Sequence, residues 1–481
     1  MNVVLVVMDT VRHRSFDIGG DADVPLAEVS TDMTMLTNAF ATAPWTLPSH
    51  GSLFTGTYPS KHGAHAGHKR LETDVTTLAE VLAANGHETV AVSNNTWISE
   101  EFGFEQGFET FYKTWQYIQS ETDFGTIARQ EEGVAKITQA VKTIFDGNPI
   151  TNLANATYGQ FFRKANDDGA ARTNKWIESW LSTRDDRRPF FLFVNYLEPH
   201  LEYRPPKQHA VAQLPDGISY DDAMAVSQDA WGYITGTVEL TDDDFEILRS
   251  LYRAEIAYLN ERIATLVDAL EAAGKWENTL FLVTSDHGEN IGEHGLMDHQ
   301  YALYDTLLHV PLFIHGGPFD GGDVNDLVQL TDIPPTVLDV LNIDAPEAFK
   351  QFQGTSFHPD ADETREFAVA EYLAPQPSMS ALKKRVGELT DSVRMYDRSL
   401  RALRTDHYKY IRGSDGSQEL YDVKIDPDET DNIAEAEQEV VAKLDQQLDE
   451  WLDSFEHAKN ADEVAMDDDT KSRLEELGYL Q

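Results

Sequence analysis

The stretch APWTLPSHGSLFTG (Ala43–Gly56) organises the rest of the chain. Pro48 fits the first turn of a helix, where its missing N–H would have had no partner, and Gly56 marks the helix end. Thr46 therefore falls at or beside a helix N-terminus, where free N–H groups and the helix dipole favour an anion. A hydroxyl placed there is a candidate nucleophile. Threonine is also a common N-cap residue with no further role, and the local sequence leaves both interpretations open.

The amino-acid composition limits the kinds of protein that this chain can be. The chain has 481 residues, 41% of them hydrophobic, no cysteine, and a formal net charge of −45. This length and hydrophobic content predict a globular chain with a large core and more than one module. The lack of cysteine excludes disulfides and thiolate chemistry.

The acidic residues are spread along the whole chain rather than gathered in a tail. This distribution predicts a halophilic surface, whose self-repulsion is screened by salt. It disfavours nucleic acid as a partner, because phosphate backbones need a basic footprint. The opening apolar run Asn2–Met8 is too short for a signal segment, and no apolar run has membrane-spanning length. We expect a cytoplasmic protein with no membrane partner; its oligomeric state is not predicted.

Polar residues follow three predicted strands. The apolar run Asn2–Met8 ends at Asp9, PFFLFVNYLEPH ends at His200, and NTLFLVT leads to Asp286-His287. Functional groups gather at the carboxyl ends of strands in open α/β sheets. Asp9 is either a metal ligand or a cap for the next segment, and His200 is either functional or structural. The adjacent Asp and His on one turn can reach a single ion, and the alternative is a polar turn.

The segment TLPSHGSLFTG resembles the signature of the sulfatase branch of the alkaline phosphatase superfamily, Cys/Ser-x-Pro-Ser-Arg-x-x-x-x-Thr-Gly. Pro48, Ser49 and the final Thr-Gly match this pattern. Thr46 stands where the family has the Cys or Ser that becomes formylglycine. His50 stands where the family has Arg.

The resemblance extends to SDHGENIGEHGLMDHQ, which is similar to the second metal motif of sulfatases. It implies one divalent metal ion bound by Asp9, Thr46, Asp286 and His287. Calcium is the family default, whereas an imidazole ligand at His287 favours manganese or zinc. Phosphonate monoester hydrolases and nucleotide pyrophosphatase-like relatives also place His at this position.

The resemblance implies further contacts with the substrate. His200 matches the strand-end Pro-His of the family, and His299 takes the place of a Lys. His200, His299 and His50 would bind ester oxygens or protonate the leaving group. Asn94 replaces an active-site Lys, and it could donate a hydrogen bond to the substrate without carrying charge.

The resemblance covers nearly the whole chain and implies an α/β fold. We expect an alkaline phosphatase-like catalytic domain over residues 1–345, with a large mixed, mostly parallel sheet flanked by helices on both faces. Residues 346–481 would form a C-terminal subdomain with a small antiparallel sheet and a helix, since turns separate its short strands. Helices are predicted near Glu132–Phe145 and Ala170–Leu181, and a long one follows Thr241; Lys207–Asp244 is predicted to be irregular.

The implied function is a metal-dependent hydrolase that cleaves a sulfate or a phosphate/phosphonate ester of a small anionic substrate through Thr46. Formylglycine hydrate expels sulfate by collapse of its own geminal diol, and threonine has no second hydroxyl for this step. The nucleophile therefore points to a phosphate or phosphonate ester. Two alternatives remain: a phosphoryl or sulfuryl transferase with the same site, and a non-catalytic sulfatase-like binding protein.

Overall fold

The computed structural model describes residues 1–15, 32–71, 74–115 and 167–458. The helix predicted near Glu132–Phe145 and the C-terminal segment RLEELGYL lie outside these residues. Among the described helices, none combines the length and the apolar character needed to cross a bilayer.

One large sheet organises the first part of the chain, and nine of the described strands belong to it. The strands up to residue 329 are β1 Asn2–Met8, β2 Thr34–Phe40, β3 Glu88–Ser93, β4 Thr110–Lys113, β5 Phe190–Tyr196, β6 Thr279–Ser285, β7 Asn290–Ile291, β8 Met297–Asp298, β9 His309–Val310, β10 Leu312–His315 and β11 Gly322–Gln329. The large sheet runs β11-β2-β10-β6-β1-β5-β3-β4, with β9 paired to β2, while β7 and β8 form a separate hairpin.

Helices flank this sheet and connect its strands. They are α1 Thr46–Thr55, α2 Pro59–His62, α3 Leu78–Ala84, α4 Ala170–Thr183, α5 Lys207–Gln213, α6 Tyr220–Ala223, α7 Ala230–Ile234, α8 Asp242–Ala272, α9 Asp305–Leu308, α10 Ile333–Val340, α11 Pro346–Gln351, α12 Met379–Val386, α13 Asp391–Arg394 and α14 Gln438–Leu452. The long helix α8 begins with a capping box at Thr241, as predicted.

The centre of the sheet is a block of parallel strands. β6, β1, β5, β3 and β4 are neighbours, and each adjacent pair is parallel. The strand β1 is buried along its whole length, as its unbroken apolar run predicts. Strand β10 is antiparallel to both β6 and β2, so the sheet is mixed but mostly parallel, as predicted.

The segment Lys207–Asp244 differs from its prediction. It was expected to be irregular, but it contains the short helices α5, α6 and α7 and the start of α8. Helices of four to seven residues show little apolar periodicity, and packing against larger elements stabilises them. The prediction of an irregular insertion was therefore wrong.

The C-terminal part forms the predicted antiparallel sheet. Its strands, in spatial order, are β12 Ala368–Tyr372, β13 Leu400–Arg404, β14 Tyr408–Gly413 and β15 Gln418–Asp422. Val369, Leu403 and Leu420 pack with helix α14. Ala370 and Ala402 belong to the main core instead, so the sheet is covered on both faces. The core is continuous past residue 345, and the division into 1–345 and 346–481 stays a prediction.

A buried ion cluster connects the small sheet to helix α9. Lys409 on β14 is fully buried, and its Nζ lies 2.7 Å from Asp305 Oδ1 and 2.8 Å from Glu429 Oε1. Glu429 also accepts a hydrogen bond from the backbone N–H of Asp305. Burial raises the pKa of Glu429 to about 7, against the opposing effect of Lys409. The lysine therefore holds two buried carboxylates together.

We predict that Lys409→Met lowers the free energy of unfolding by about 3 kcal/mol, because it leaves Asp305 and Glu429 without their shared cation. Lys424→Met is the matched control, since Lys424 is an exposed lysine paired with exposed Asp406. It should change stability by less than about 1 kcal/mol. Urea unfolding at fixed high salt measures both, and equal effects would contradict the assignment.

A buried carboxylate connects strand β5 to helix α4. Glu198 Oε1 accepts hydrogen bonds from the backbone N–H groups of Asp168 and Ala170, at 3.1 and 3.2 Å. Its Oε2 has no hydrogen-bond partner in the part of the chain that the structure describes, and the side chain is almost fully buried. Burial raises the pKa of Glu198 to about 8, and Asp167 adds to this rise. At a pH between its unfolded and folded pKa values, Glu198 therefore keeps its proton in the folded chain and loses it in the unfolded chain.

A raised carboxyl pKa stabilises the fold at low pH, and this contribution is lost as pH rises through the folded pKa. Between about pH 5 and pH 8, stability should therefore fall less steeply in Glu198→Gln than in the wild type. The slopes should differ by up to about 1.4 kcal/mol per pH unit. Urea unfolding at several pH values measures them, with the exposed Glu271→Gln as control; parallel wild-type and Glu198→Gln curves would refute this.

Candidate active site

The candidate site lies at the ends of four neighbouring strands. β6, β1, β5 and β3 are adjacent and parallel, so their carboxyl ends meet at one edge of the sheet. In the register of β1 and β6, Met8 lies opposite Ser285. Asp9 and Asp286 follow these two residues and are therefore placed side by side. The topology brings together segments that are far apart in sequence.

Thr46 lies at the first position of helix α1. Trp45 is the N-cap residue and makes no side-chain capping hydrogen bond, so Thr46 is not the cap. Its Oγ1 instead lies 3.4 Å from His287 Nε2 and 3.4 Å from Asn95 Nδ2. The helix ends at Gly56 with a left-handed φ of 65°, as predicted. The hydroxyl of Thr46 thus faces polar side chains rather than its own helix.

Asp9, Asp286 and His287 form a fully buried cluster. Their ligand-type atoms all lie within 4.8 Å of one another. His287 Nε2 lies 3.3 Å from Asp286 Oδ2 and 3.8 Å from Asp9 Oδ1. Neither of these two carboxylate oxygens has a hydrogen-bond partner among the described residues. Buried charged oxygens without partners are costly, and a bound cation would satisfy them.

The tautomer of His287 suits metal binding. Its Nδ1 lies 2.9 Å from the carbonyl oxygen of Gly288, so Nδ1 carries the proton and Nε2 has the free lone pair. Burial lowers the pKa of His287 to about 3. Glycine at position 288 allows the backbone at Thr306 to pass close by. A Cβ on Gly288 would lie only 2.1 Å from the carbonyl oxygen of Thr306. The neutral ring therefore presents Nε2 to Asp9, Asp286 and Thr46.

The pKa values of the two aspartates are shifted in opposite directions. Burial raises the pKa of Asp9, and the nearby Asp286 adds to this rise. Burial also acts to raise the pKa of Asp286, but His287 and His50 outweigh it and hold that pKa below its usual value. The two carboxylates therefore need a positive partner, and a divalent ion would supply that charge.

His50 contacts the cluster from within helix α1. Its Nδ1 donates to the carbonyl oxygen of Thr46 at 3.0 Å and lies 3.4 Å from Asp286 Oδ2. The ring is fully buried and packs edge-on against Phe54 and Phe193. These contacts orient Asp286 and the start of the helix. A contact between His50 and a substrate stays a prediction.

Asn95, which follows strand β3, joins the site, although the sequence reasoning singled out Asn94. Asn95 Nδ2 donates to Asp9 Oδ2 at 2.5 Å, while its Oδ1 accepts from the Trp97 N–H. Asn94 Oδ1 instead accepts a hydrogen bond from Thr173 on α4. A substrate contact of Asn94 stays a prediction.

His299 lies beside His287 of the cluster, and His200 lies next to His299. The ring centroid of His299 is 4.5 Å from that of His287 and 5.2 Å from that of His200. His299 Nδ1 lies 2.6 Å from Asp298 Oδ1 and 3.3 Å from Glu289 Oε1. Burial opposes a charged His299, but Asp298 and Glu289 outweigh it and raise its pKa well above the usual value. Sequence reasoning missed Glu289 and Asp298.

The comparisons with known proteins give the family and the fold of the chain. The family model described as "Sulfatase" matches residues 1–343. Arylsulfatase K of Bos taurus is 25% identical over 478 residues, covering 93% of this chain and 81% of the relative. Choline-sulfatase of Rhizobium meliloti (strain 1021) is 23% identical over 474 residues, covering 90% and 82%. The phosphonate monoester hydrolase of Agrobacterium radiobacter has a similar fold, with a TM-score of 0.69, 19% identity and coverage of 95% and 96%.

Proposed function

The chain belongs to the sulfatase family of ester hydrolases, and we propose that it cleaves a phosphate or phosphonate ester through the Thr46 hydroxyl at a divalent-metal site. One observation carries this proposal. Thr46 Oγ1 does not cap its helix and instead lies 3.4 Å from His287 Nε2. His287 Nε2 in turn lies near two buried carboxylate oxygens, of Asp9 and Asp286, that have no hydrogen-bond partner among residues 1–15, 32–71, 74–115 and 167–458. A hydroxyl in these surroundings is placed for activation as a nucleophile.

The residues present fit a metal ion. Asp9, Asp286 and His287 offer two carboxylates and a neutral imidazole, and Thr46 adds a hydroxyl. Sulfatases depend on a divalent metal, and a nitrogen ligand favours manganese or zinc over the calcium that is the family default. When bound, such an ion lowers the pKa of a nearby hydroxyl and neutralises an ester oxygen.

Residues of the chain account for the remaining steps of the proposed reaction, from binding of the ester to its hydrolysis. Thr46 lies where the positive end of the α1 dipole favours an anionic ester group. Its Oγ loses its proton to solvent and forms a bond to phosphorus, while the bond from phosphorus to the leaving alcohol oxygen breaks. His299 donates a proton to that oxygen, since Asp298 and Glu289 keep its ring protonated. Water then attacks the phosphorus of the Thr46 adduct, which keeps its second substituent, and gives a proton back to His299. The bond from phosphorus to Oγ breaks, and Oγ takes up a proton, which regenerates the hydroxyl.

Other residues hold the reacting groups in place. Asn95 links Asp9 to Thr46, with Nδ2 to oxygen distances of 2.5 and 3.4 Å. His50 holds Asp286 and the first turn of α1, which supports a positioning role. His200 lies next to His299 and would contact a substrate oxygen.

The single hydroxyl of Thr46 favours phosphorus over sulfur. A threonine sulfate ester has no second hydroxyl to expel the sulfate, so water must attack at sulfur or the C–O bond must break. A phosphothreonine held at a metal site is more readily hydrolysed by water at phosphorus. The proposed substrates are therefore small anionic phosphate diesters or phosphonate monoesters.

We predict that Thr46→Ala lowers kcat/KM by at least about 1000-fold, because the nucleophile is lost. Thr46→Ser keeps a hydroxyl at the same position and should retain activity within about tenfold of the wild type. Acid-quenched wild-type protein should carry the phosphorus group of the substrate, still bearing its second substituent, on the peptide that contains Thr46, as mass spectrometry can detect. Unchanged turnover in Thr46→Ala would remove this residue from the mechanism.

A second prediction concerns the ester type and the metal. Aryl phosphate diesters, phosphonate monoesters and sulfates with the same leaving group are assayed side by side, at molar salt because we expect a halophilic protein. Both phosphorus esters should be hydrolysed faster than the sulfate. A chelator should abolish turnover, and manganese or zinc should restore it better than calcium. Faster sulfate cleavage would contradict the proposed ester type, and a product containing an added alcohol would reveal a transferase.

A further inference from the structure

Lys69 carries a positive charge that no acidic side chain balances in the part of the chain that the structure describes. Its side chain is half-buried, and its Nζ lies 5.2 Å from the centroid of the Trp97 ring. Burial lowers the pKa of Lys69 to about 8. A charged group that is partly removed from water without a partner has an unfavourable free energy. An anion bound beside Trp97 would supply the missing partner.

A shortage of acidic residues does not explain why Lys69 is unpaired. The sequence has 83 Asp and Glu residues against 38 Lys and Arg residues, so acidic partners are abundant. Lys113 and Lys409, which are buried, are each paired with acidic side chains. Arg70 follows Lys69 and also forms no ion pair within the described ranges. This segment therefore keeps a local positive charge that can attract an anion.

Trp97 connects Lys69 to the candidate active site. The backbone N–H of Trp97 donates to Asn95 Oδ1 at 2.9 Å, and Nδ2 of the same asparagine lies 3.4 Å from Thr46 Oγ1. The Trp97 ring also packs edge-on against Trp45, with the ring centroids 5.5 Å apart. Trp45 is the N-cap residue directly before Thr46, and both indole rings are buried. Lys69 is therefore joined to the nucleophile through two ring contacts and does not touch it.

We propose that Lys69 binds a second anionic group of the substrate, such as a carboxylate on an organic substituent of the ester. This inference rests on the proposed function, because it names a further group on the substrate of the Thr46 site. The ammonium group donates charge-assisted hydrogen bonds to such a group, while the Trp97 face holds the lysine in place. Because the side chain is only half-buried, a ligand can reach it from solvent. The reaction at phosphorus is unchanged.

The test compares nitrophenyl phenylphosphonate with two charged analogues at fixed salt and about pH 7, below the pKa of Lys69. One analogue carries a carboxylate on the phenyl ring bonded to phosphorus, and the other carries it on the leaving phenol. The measured quantity is the ratio of kcat/KM for each charged ester to that for the neutral ester. Lys69→Met removes the charge at similar length and should lower at least one ratio about tenfold. Lys69→Arg should retain the preference, since it keeps the charge.

Lys207→Met is the matched control for the loss of a lysine that lies over an aromatic ring. Lys207 Nζ lies 5.3 Å from the centroid of the Tyr220 ring, and Lys207 also forms no ion pair among the described residues. Its replacement should leave both ratios unchanged. Equal losses with charged and neutral esters in Lys69→Met would assign Lys69 to the packing of Trp97 and overturn the inference. Unchanged rates in Lys69→Met would overturn it as well.

Equilibrium binding separates this inference from the Thr46 mechanism. The Thr46→Ala protein, which should not hydrolyse the three esters, is titrated with each of them by calorimetry. The charged ester that the wild type prefers should bind about tenfold more tightly to Thr46→Ala than to the double variant Thr46→Ala, Lys69→Met. Equal binding to both would overturn the role of Lys69 and leave the Thr46 mechanism standing. Continued hydrolysis by Thr46→Ala would overturn the mechanism, while a charge preference that depends on Lys69 would still support the inference.

Discussion

The pairing of β1 with β6 is the constraint on which the site depends. Because Met8 lies opposite Ser285, Asp9 and Asp286 are placed side by side where the two strands end. A slip of one residue would turn one aspartate to the opposite face of the sheet and separate the pair. The buried, unbroken apolar sequence of β1 resists such a slip, since it is held by β5 on one side and by β6 on the other. His287, Asn95 and Thr46 then complete the cluster around these two carboxylates.

Burying two carboxylates side by side has an electrostatic cost, and the neighbouring residues reduce it. Two side chains contact the aspartates: Asn95 donates to Asp9, and His50 lies against Asp286. Three positions where the sulfatase pattern carries Arg or Lys are occupied here by His50, Asn94 and His299. In the proposed mechanism, the positive charge that a bound ester needs would come from a divalent ion and from a protonated His299.

Much of the fold was predictable, because several elements have strong local signals. The long helix was expected from the capping residue Thr241, and the C-terminal antiparallel strands were expected from turns at regular spacing. The short helices between Lys207 and Asp244 were missed, because helices this short are stabilised by packing rather than by their own periodicity. The division of the chain near residue 345 stays a prediction, since the core continues across it.

The sequence by itself determined the alkaline phosphatase-like α/β fold and the polar residues that follow its strands. Buried apolar runs and the motifs after them are local features, and both can be recognised along the chain. Asp9, Thr46, Asp286 and His287 could all be named from those features. Only the tertiary structure decided that Thr46 is not a helix cap, that Asn95 rather than Asn94 contacts Asp9, and that Glu289 and Asp298 meet His299. These outcomes depend on side-chain direction and on contacts between distant segments, and no spacing along the chain specifies either.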